Sequence, residues 1–371
     1  MASEDAEQLP LLHLKLAFLA LEPPACILAL ARKAGGGSVT PHIQNFILES
    51  CIGTNVGQIQ DYTYVKIILK KVIAEAELSS DIVIDGLYEE FARCMSSKAN
   101  NSSLNMSGKI CKEISFLSPT YNNVSSNQVS LVARLSCSTN MLEGDTGCSL
   151  WPSSLFLSEF ILSFPKLFSK KRCFEQLGSG VGLVGVCLNY VGASKVILTD
   201  GDASTLINMK ANMEMNNLYA EDSELVKESK NKVECKYLSW EEASESDLWD
   251  CRTDLVLGAD IIYNPSCVPH LVRVLSTLLG REDGRCETVN VGRDEEPVNE
   301  VPWNGATRGP LAYMATVIRN ADTFNCFAKA AADAKLSVVN ITGAAAPSSF
   351  LPYMLSYERS SVQLLEITSL S

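Results

Sequence analysis

The segment Glu175-Gln176-Leu177-Gly178-Ser179-Gly180-Val181-Gly182-Leu183-Val184-Gly185 places glycines at alternate positions between a short apolar run and an apolar helical pattern. Glycines suit such a place because the chain must turn tightly and a ligand must reach the backbone with no Cβ in the way. The following helix start adds N–H groups without partners of their own. A tight strand–helix turn with no ligand is the bland alternative, and alternate glycines argue against it. Asp200 stands 22 residues after Gly178, at the end of the next strand-like run. A carboxylate there accepts hydrogen bonds from a ribose diol. The chemistry is therefore nucleoside-cofactor binding. It does not choose the cofactor, since Gly180, Gly182 and Gly185 also satisfy the dinucleotide fingerprint of nicotinamide and flavin enzymes. An Asp before Gly201-Asp202 also reads as a helix cap or turn residue.

Three further groups are placed to act at the same crevice. Gly258-Ala259-Asp260-Ile261-Ile262-Tyr263 puts an acid and an aromatic at the carboxyl end of a central strand, where ligands bind in open α/β sheets. Trp151 ends the run Thr146-Gly147-Cys148-Ser149-Leu150-Trp151, and Trp240 follows Ser239 after another strand. Trp240 could pack on an adenine. Packing in the core or on the surface is the alternative for each tryptophan.

These residues need a sheet to hold them. From Arg172 onward strand-like runs (Cys173–Leu177, Lys195–Thr199, Val233–Leu238, Asp254–Ala259, Leu311–Ile318, Leu336–Ile341 and Val362–Thr368) alternate with helical ones (Leu183–Tyr190, Ala203–Met215, Ser266–Leu279 and Asp322–Lys335). Such alternation predicts a mostly parallel sheet with helices on both faces. The last strand follows its predecessor through a Pro-containing loop without a strong helix, which permits an antiparallel edge. An apolar helix is predicted from about Pro152 to Phe164. Ile110–Phe116 and Val129–Ser136 read as a hairpin with a long loop.

Residues 9–97 read as helical. Leu11, Leu14, Ala17, Phe18 and Leu21 recur at three- and four-residue steps, Pro23-Pro24 interrupts them, and two further periodic segments cover Tyr62–Ala76 and Ile82–Cys94. The expected division is a helical part over 1–100, a linker and hairpin start over 101–128, and the sheet domain over 129–371. Residues 280–309, rich in Asp, Glu, Arg, Gly and Asn, read as an exposed insertion.

Composition narrows the function classes. The formal charge is −12, which disfavours nucleic-acid backbones. The basic groups Lys66/Lys70/Lys71 and Lys166/Lys170/Lys171/Arg172 read as solvated faces. Thirteen cysteines without C-x-x-C spacing suit reduced thiols in the cytosol, and three histidines show no zinc-like spacing, so no metal site is expected. His270 reads as an ordinary helix residue rather than a base. The apolar stretch Leu9–Leu21 is too short to span a bilayer and follows acidic residues, so neither a membrane span nor a secretory signal is expected. On that basis the Asn-x-Ser matches at Asn101, Asn105 and Asn123 are polar loop rather than glycosylation sites.

Taken in order, Thr146-Gly-x-x-x-Trp151, the Gly178 loop, Trp240 and Ala259-Asp260-x-x-Tyr263 resemble the family-16 seven-strand protein-lysine methyltransferases, within them the elongation factor 2 lysine methyltransferase group. That group shares a helical N-terminal extension, an Arg-Asn after the fifth strand (Arg319-Asn320) and a Pro-Tyr before the last strand (Pro352-Tyr353). The resemblance implies a Rossmann-like class I sheet. It implies S-adenosylmethionine contacts at Trp151, Gly178, Ser179, Gly180, Asp200, Trp240 and Ala259, and a lysine channel bordered by Asp260 and Tyr263. A cytoplasmic protein substrate, elongation factor 2, follows from the same resemblance. Asp260 could hold the incoming ammonium and Tyr263 could wall the channel.

One position departs from the pattern. Family members carry an acid two residues before the first glycine; here Gln176 stands there and Glu175 one step earlier. An added residue in a strand flips side chains to the other face. Either Glu175 reaches the cofactor's amino group through a bulge, or the site is weakened, and reduced activity is expected. Two other classes stay open: an NAD(P)-dependent oxidoreductase, against which stands the lack of a Tyr-x-x-x-Lys or comparable constellation, and a non-catalytic binding module with a degenerate cofactor site. Tyr263-Asn264-Pro265-Ser266 does not match the acid-Pro-Pro-aromatic tetrad common in nucleic-acid amino-group methylation.

Overall fold

The computed structural model describes residues 2–53, 62–79, 82–96, 108–119, 129–138, 146–175, 178–218, 232–249, 253–280 and 310–370. Gln176, the 281–309 part of the expected insertion, the three Asn-x-Ser sites and most of the expected linker lie outside these residues. Two compact units divide the chain: Met1–Ser149 with Ser349–Glu358, and Leu150–Ser348 with Arg359–Ser371.

The first unit carries helices α1 (Ala2–Leu19), α2 (Pro24–Ala34), α3 (Pro41–Phe46), α4 (Tyr62–Leu78) and α5 (Asp85–Ser96), then strands β1 (Lys109–Leu117) and β2 (Val129–Ser138). Leu14, Ala17 and Phe18 are fully buried, as their helical spacing predicts. Pro24 opens α2, where its missing N–H costs nothing. A π-helical stretch, Ile47–Gly53, had no signal in the sequence. β1 and β2 pair antiparallel, with a register irregularity at Phe116/Leu117.

The hairpin clusters with the helices rather than being split at 128/129, and residues 349–358 join it. The Leu117 N–H donates to the Phe350 carbonyl at 2.8 Å, and the Ser115 N–H donates to the Tyr353 hydroxyl at 2.8 Å. Ser356 donates from its N–H and Oγ to the carboxylate of Glu22, at 2.8 and 2.6 Å. Tyr353 and Glu22 are both buried, so each bond replaces a costly unsatisfied group. This segment therefore belongs to the first unit, although β8 and β9, which flank it in sequence, belong to the second.

The second unit runs α6 (Pro152–Ser163), α7 (Pro165–Phe168), β3 (Arg172–Glu175), α8 (Leu183–Tyr190), β4 (Lys195–Asp200), α9 (Ala203–Met215), β5 (Lys232–Tyr237), α10 (Glu245–Trp249), β6 (Leu255–Ala259), α11 (Val268–Leu279), β7 (Leu311–Val317), α12 (Ala321–Asp333), β8 (Leu336–Asn340) and β9 (Val362–Ser369). Its seven strands lie in the order β5-β4-β3-β6-β7-β9-β8. This is a Rossmann-like sheet, as the alternation of strands and helices predicts. Neighbours from β5 through β7 pair parallel. β9 runs antiparallel to both β7 and β8. The last strand thus has the direction the sequence permits but not the edge position: it fills the gap between β7 and β8, and β8 forms the edge.

Alternation along β7 shows both faces in use. Tyr313 meets Phe160 of α6 with ring centroids 5.1 Å apart, whereas Ala312 and Met314 join the cluster of Leu271, Leu275, Phe327 and Ala331 from α11 and α12. Burying each large apolar side chain contributes about 1.5–3 kcal/mol. The strand order turns at β3, whose neighbours β4 and β6 lead in opposite directions. The crevice beyond the carboxyl ends of β3 and β6 is where such sheets bind ligands.

Candidate functional site

The glycine loop leaves β3 and enters α8 at this crevice. Gly178, Gly180 and Gly182 all have positive φ, +84°, +56° and +83°, which L side chains rarely adopt. Gly185 serves packing instead: a Cβ there would lie 2.7 Å from Leu198 Cδ1, so α8 can sit on β4 only without one. The loop is fastened to β4 in both directions. The Ser179 N–H donates to the Thr199 carbonyl at 2.9 Å, and the Thr199 N–H donates to Ser179 Oγ at 3.0 Å. Asn212 of α9 adds a bond from Nδ2 to the Val181 carbonyl at 2.9 Å.

Asp200 ends β4 and faces this loop. Its carboxylate accepts from the N–H groups of Asp202 at 3.0 Å and Gly180 at 3.3 Å. It is 9% exposed, and burial pushes its carboxyl above the usual aspartate range, against the pull of the N–H donors. The helix cap that the sequence left open for this aspartate is made by its neighbour. Asp202 caps α9 by accepting from the Thr205 N–H at 2.7 Å and the Ser204 hydroxyl at 2.6 Å.

Trp240 follows β5, half-buried and packed against the cluster that contains Ile261 and Ile262. Arg273 of α11 holds its loop, donating to the carbonyls of Trp240 at 2.6 Å and Ala243 at 2.7 Å. Nothing in the local sequence marks Arg273, because its partners are backbone carbonyls some thirty positions away.

Ala259 ends β6, and Asp260 follows with a φ of +59°, a left-handed conformation that is uncommon outside glycine. Its N–H continues the ladder to the Ala315 carbonyl at 2.8 Å. Its buried carboxylate takes a bidentate pair from Arg319, with Nη1 to Oδ1 at 2.7 Å and the second contact at 2.6 Å. The pairing holds the Arg319 guanidinium above its already high range, through the hydrogen bonds first. The same guanidinium lies over the Trp151 ring, 5.3 Å from its centroid. Trp151 begins α6, its carbonyl accepting from the N–H and hydroxyl of Ser154 at 3.0 and 2.8 Å.

Tyr263 is 61% exposed. Partial desolvation, then the charges of Cys267, Asp200 and Asp260, push its hydroxyl up, so it is a neutral phenol near pH 7. Of the residues singled out in the sequence, Asp200 and Ala259 end β4 and β6, Gly178, Ser179, Gly180, Trp240, Asp260 and Tyr263 follow the carboxyl ends of β3, β5 and β6, and Trp151 immediately precedes α6, all in the second unit. His270 lies on α11, outside this set. Among the described residues no group of three His, Cys, Asp or Glu side chains could hold a metal, no cysteine forms a disulfide, and no helix is long and apolar enough to cross a membrane.

A nucleoside-sulfonium cofactor fits these residues. A Cβ on Gly178 would come into van der Waals contact with Ile261 Cγ2 and Asp200 Oδ2, at 3.8 and 3.9 Å, so it would stand between the loop and the carboxylate.

Comparison with known proteins agrees. Residues 132–296 match the family described as lysine methyltransferase. An uncharacterized Dictyostelium discoideum protein is 34% identical over 238 residues, covering 60% of this chain and 58% of that protein. The Mus musculus protein-lysine N-methyltransferase EEF2KMT is 27% identical over 265 residues, 71% of this chain and 67% of that protein. The protein-lysine N-methyltransferase EFM3 of Chaetomium thermophilum is 34% identical over 142 residues, 37% of this chain and 39% of that protein.

Proposed function

We propose that this chain, whose residues 132–296 match the family described as lysine methyltransferase, transfers a methyl group from S-adenosylmethionine to a lysine of a cytoplasmic protein, elongation factor 2. The observation that carries the reading is the match of residues 132–296 to the lysine methyltransferase family, over a nucleoside crevice formed where the Gly178–Gly182 turn meets Asp200 at the switch point of a seven-strand sheet. The cofactor supplies an electrophilic methyl on its sulfonium. Gly178, Ser179 and Gly180 would line its site, Asp200 would accept from the ribose diol, Trp240 would lie against the adenine, and Trp151 and Ala259 would complete the contacts.

Asp260 and Tyr263 border the lysine channel. Methyl transfer is an in-line displacement, so positioning supplies much of the acceleration. The acceptor nitrogen needs its lone pair, and an aromatic wall beside a cationic centre disfavours the ammonium form. Elongation factor 2 as substrate is supported by the motif resemblance and by the likeness to the mouse protein-lysine N-methyltransferase EEF2KMT.

Thermal shift against S-adenosylmethionine and NAD(P)H separates the methyltransferase from an oxidoreductase. Stabilisation by S-adenosylmethionine alone is expected; stabilisation by NAD(P)H alone refutes the reading. Radiolabelled methyl transfer to a cell lysate then separates an enzyme from a binding module, incorporation into protein being expected.

A further inference from the structure

One arginine links three of the segments that frame the crevice. Arg319, two residues beyond β7, grips Asp260 at the end of β6 through both carboxylate oxygens and lies over the ring of Trp151 at the start of α6. The geometry is asymmetric in solvent. Asp260 has 5% of its side chain exposed, while Arg319 has 45%. The guanidinium therefore caps a buried carboxylate from the open side. The Asp260 backbone is left-handed, and its N–H is bonded to the Ala315 carbonyl. An incoming ammonium would have to compete with a bidentate, charge-assisted pair, among the stronger hydrogen-bond arrangements available to a carboxylate.

The charged and titratable groups acting on this corner are Asp260 and Tyr263 from the β6 end, Asp200 from the β4 end, Cys267 from the turn before α11, and Arg319 itself. Asp200 and Asp260 would together favour a protonated amine, which cannot accept a methyl group. Arg319 is the cation that opposes them.

We propose that Arg319 is a positioning residue for methyl transfer: it fixes Asp260 and Trp151, and it cancels the Asp260 charge so that the acceptor lysine enters as a neutral amine. This rests on the methyltransferase reading. It assigns Asp260 a role as the anchor of a neutral pair bordering the channel, in place of a bare carboxylate that receives the ammonium.

The test is the pH profile of kcat/KM for the purified full chain with its protein substrate, alongside S-adenosylmethionine affinity by calorimetry and Tm. In Arg319→Gln the carboxylate is left bare, the acceptor ammonium is favoured, and the rising limb moves to higher pH by about one unit. In Asp260→Asn the guanidinium is left unbalanced, and the limb moves to lower pH. Cofactor affinity persists in Asp260→Asn, and falls in Arg319→Gln only by as much as the release of Trp151 costs. Arg319→Lys keeps the charge but not the fork, and its limb stays nearer the wild type while kcat falls. Limbs that superpose on wild type in both neutral variants, or move in the same direction, overturn the proposal whatever the loss of rate. Should either neutral variant fail to fold by Tm, the direction of the other decides. Failure of wild-type protein to bind S-adenosylmethionine or transfer a methyl group refutes the underlying reading and this proposal with it, and is recognised because no substitution is involved.

Discussion

Ser179 and Thr199 are joined in both directions, the N–H of each donating to an oxygen of the other at 2.9 and 3.0 Å. This pair ties the glycine loop to the end of the strand that carries Asp200, so loop and carboxylate keep one spacing. Both residues are buried. Ser179→Ala removes the acceptor of the Thr199 N–H. An unsatisfied buried donor costs about 1–3 kcal/mol. Urea unfolding is expected to show a loss of that size, and calorimetry a weakened S-adenosylmethionine complex. Unchanged stability and affinity together would show that the pair does not hold the loop.

Asp200 should make cofactor binding pH-dependent. Burial raises its carboxyl, so its charge is lost at a higher pH than that of an ordinary aspartate. If the ionised form receives the ribose diol, affinity falls as the pH drops through this raised value, while Asp200→Asn abolishes the dependence. Hydrogen bonds to charged groups contribute about 1.5–3 kcal/mol, so the variant is expected to bind roughly 10- to 100-fold more weakly at neutral pH. For stability the sign is opposite. A carboxyl raised in the folded state contributes stability that is present below its unfolded value and lost as the pH rises through its folded value. Asp200→Asn therefore keeps or raises the Tm of the unliganded protein at pH 7. Calorimetry across pH and thermal melts check both statements.

Arg273→Ala releases the carbonyls of Trp240 and Ala243. The Trp240 loop loses its brace from α11, and the KM for S-adenosylmethionine is expected to rise about 5- to 30-fold, the equivalent of one or two kcal/mol, with a smaller change in kcat. A fall in kcat at constant KM would place Arg273 elsewhere in the mechanism.

Gln176 stands where the resembling family carries an acid. Deleting it restores Glu175 to the position two before Gly178. Tighter S-adenosylmethionine binding by calorimetry is expected, and unchanged affinity would remove the weakened-site reading.

Much of the sheet was legible because its signals are local. Periodicity marked α8, α9, α11 and α12, and the glycine spacing marked the turn with its positive φ values. What stayed hidden depends on tertiary neighbours. The insertion of β9 between β7 and β8 is set by pairing with two strands, not by its own sequence. The attachment of residues 349–358 to the N-terminal unit rests on Tyr353 meeting Ser115 and on Ser356 meeting Glu22, groups more than 200 positions apart. The same holds at the site. Asp200, Asp260 and the tryptophans could be named from spacing, whereas the grip of Arg319 on Asp260 and the brace of Arg273 could not, since each joins separate loops. Arg319 entered the sequence reading only as part of an Arg-Asn pair.

The most direct measurement is mass spectrometry of elongation factor 2 lysines after incubation with this protein and S-adenosylmethionine, with the Asp200→Asn variant alongside. One lysine gaining methyl groups with wild-type protein, and much less with the variant, is the expected result. An elongation factor 2 that gains no methyl group, although the protein binds the cofactor, would contradict the proposed substrate. No transfer to any protein lysine would contradict the activity itself.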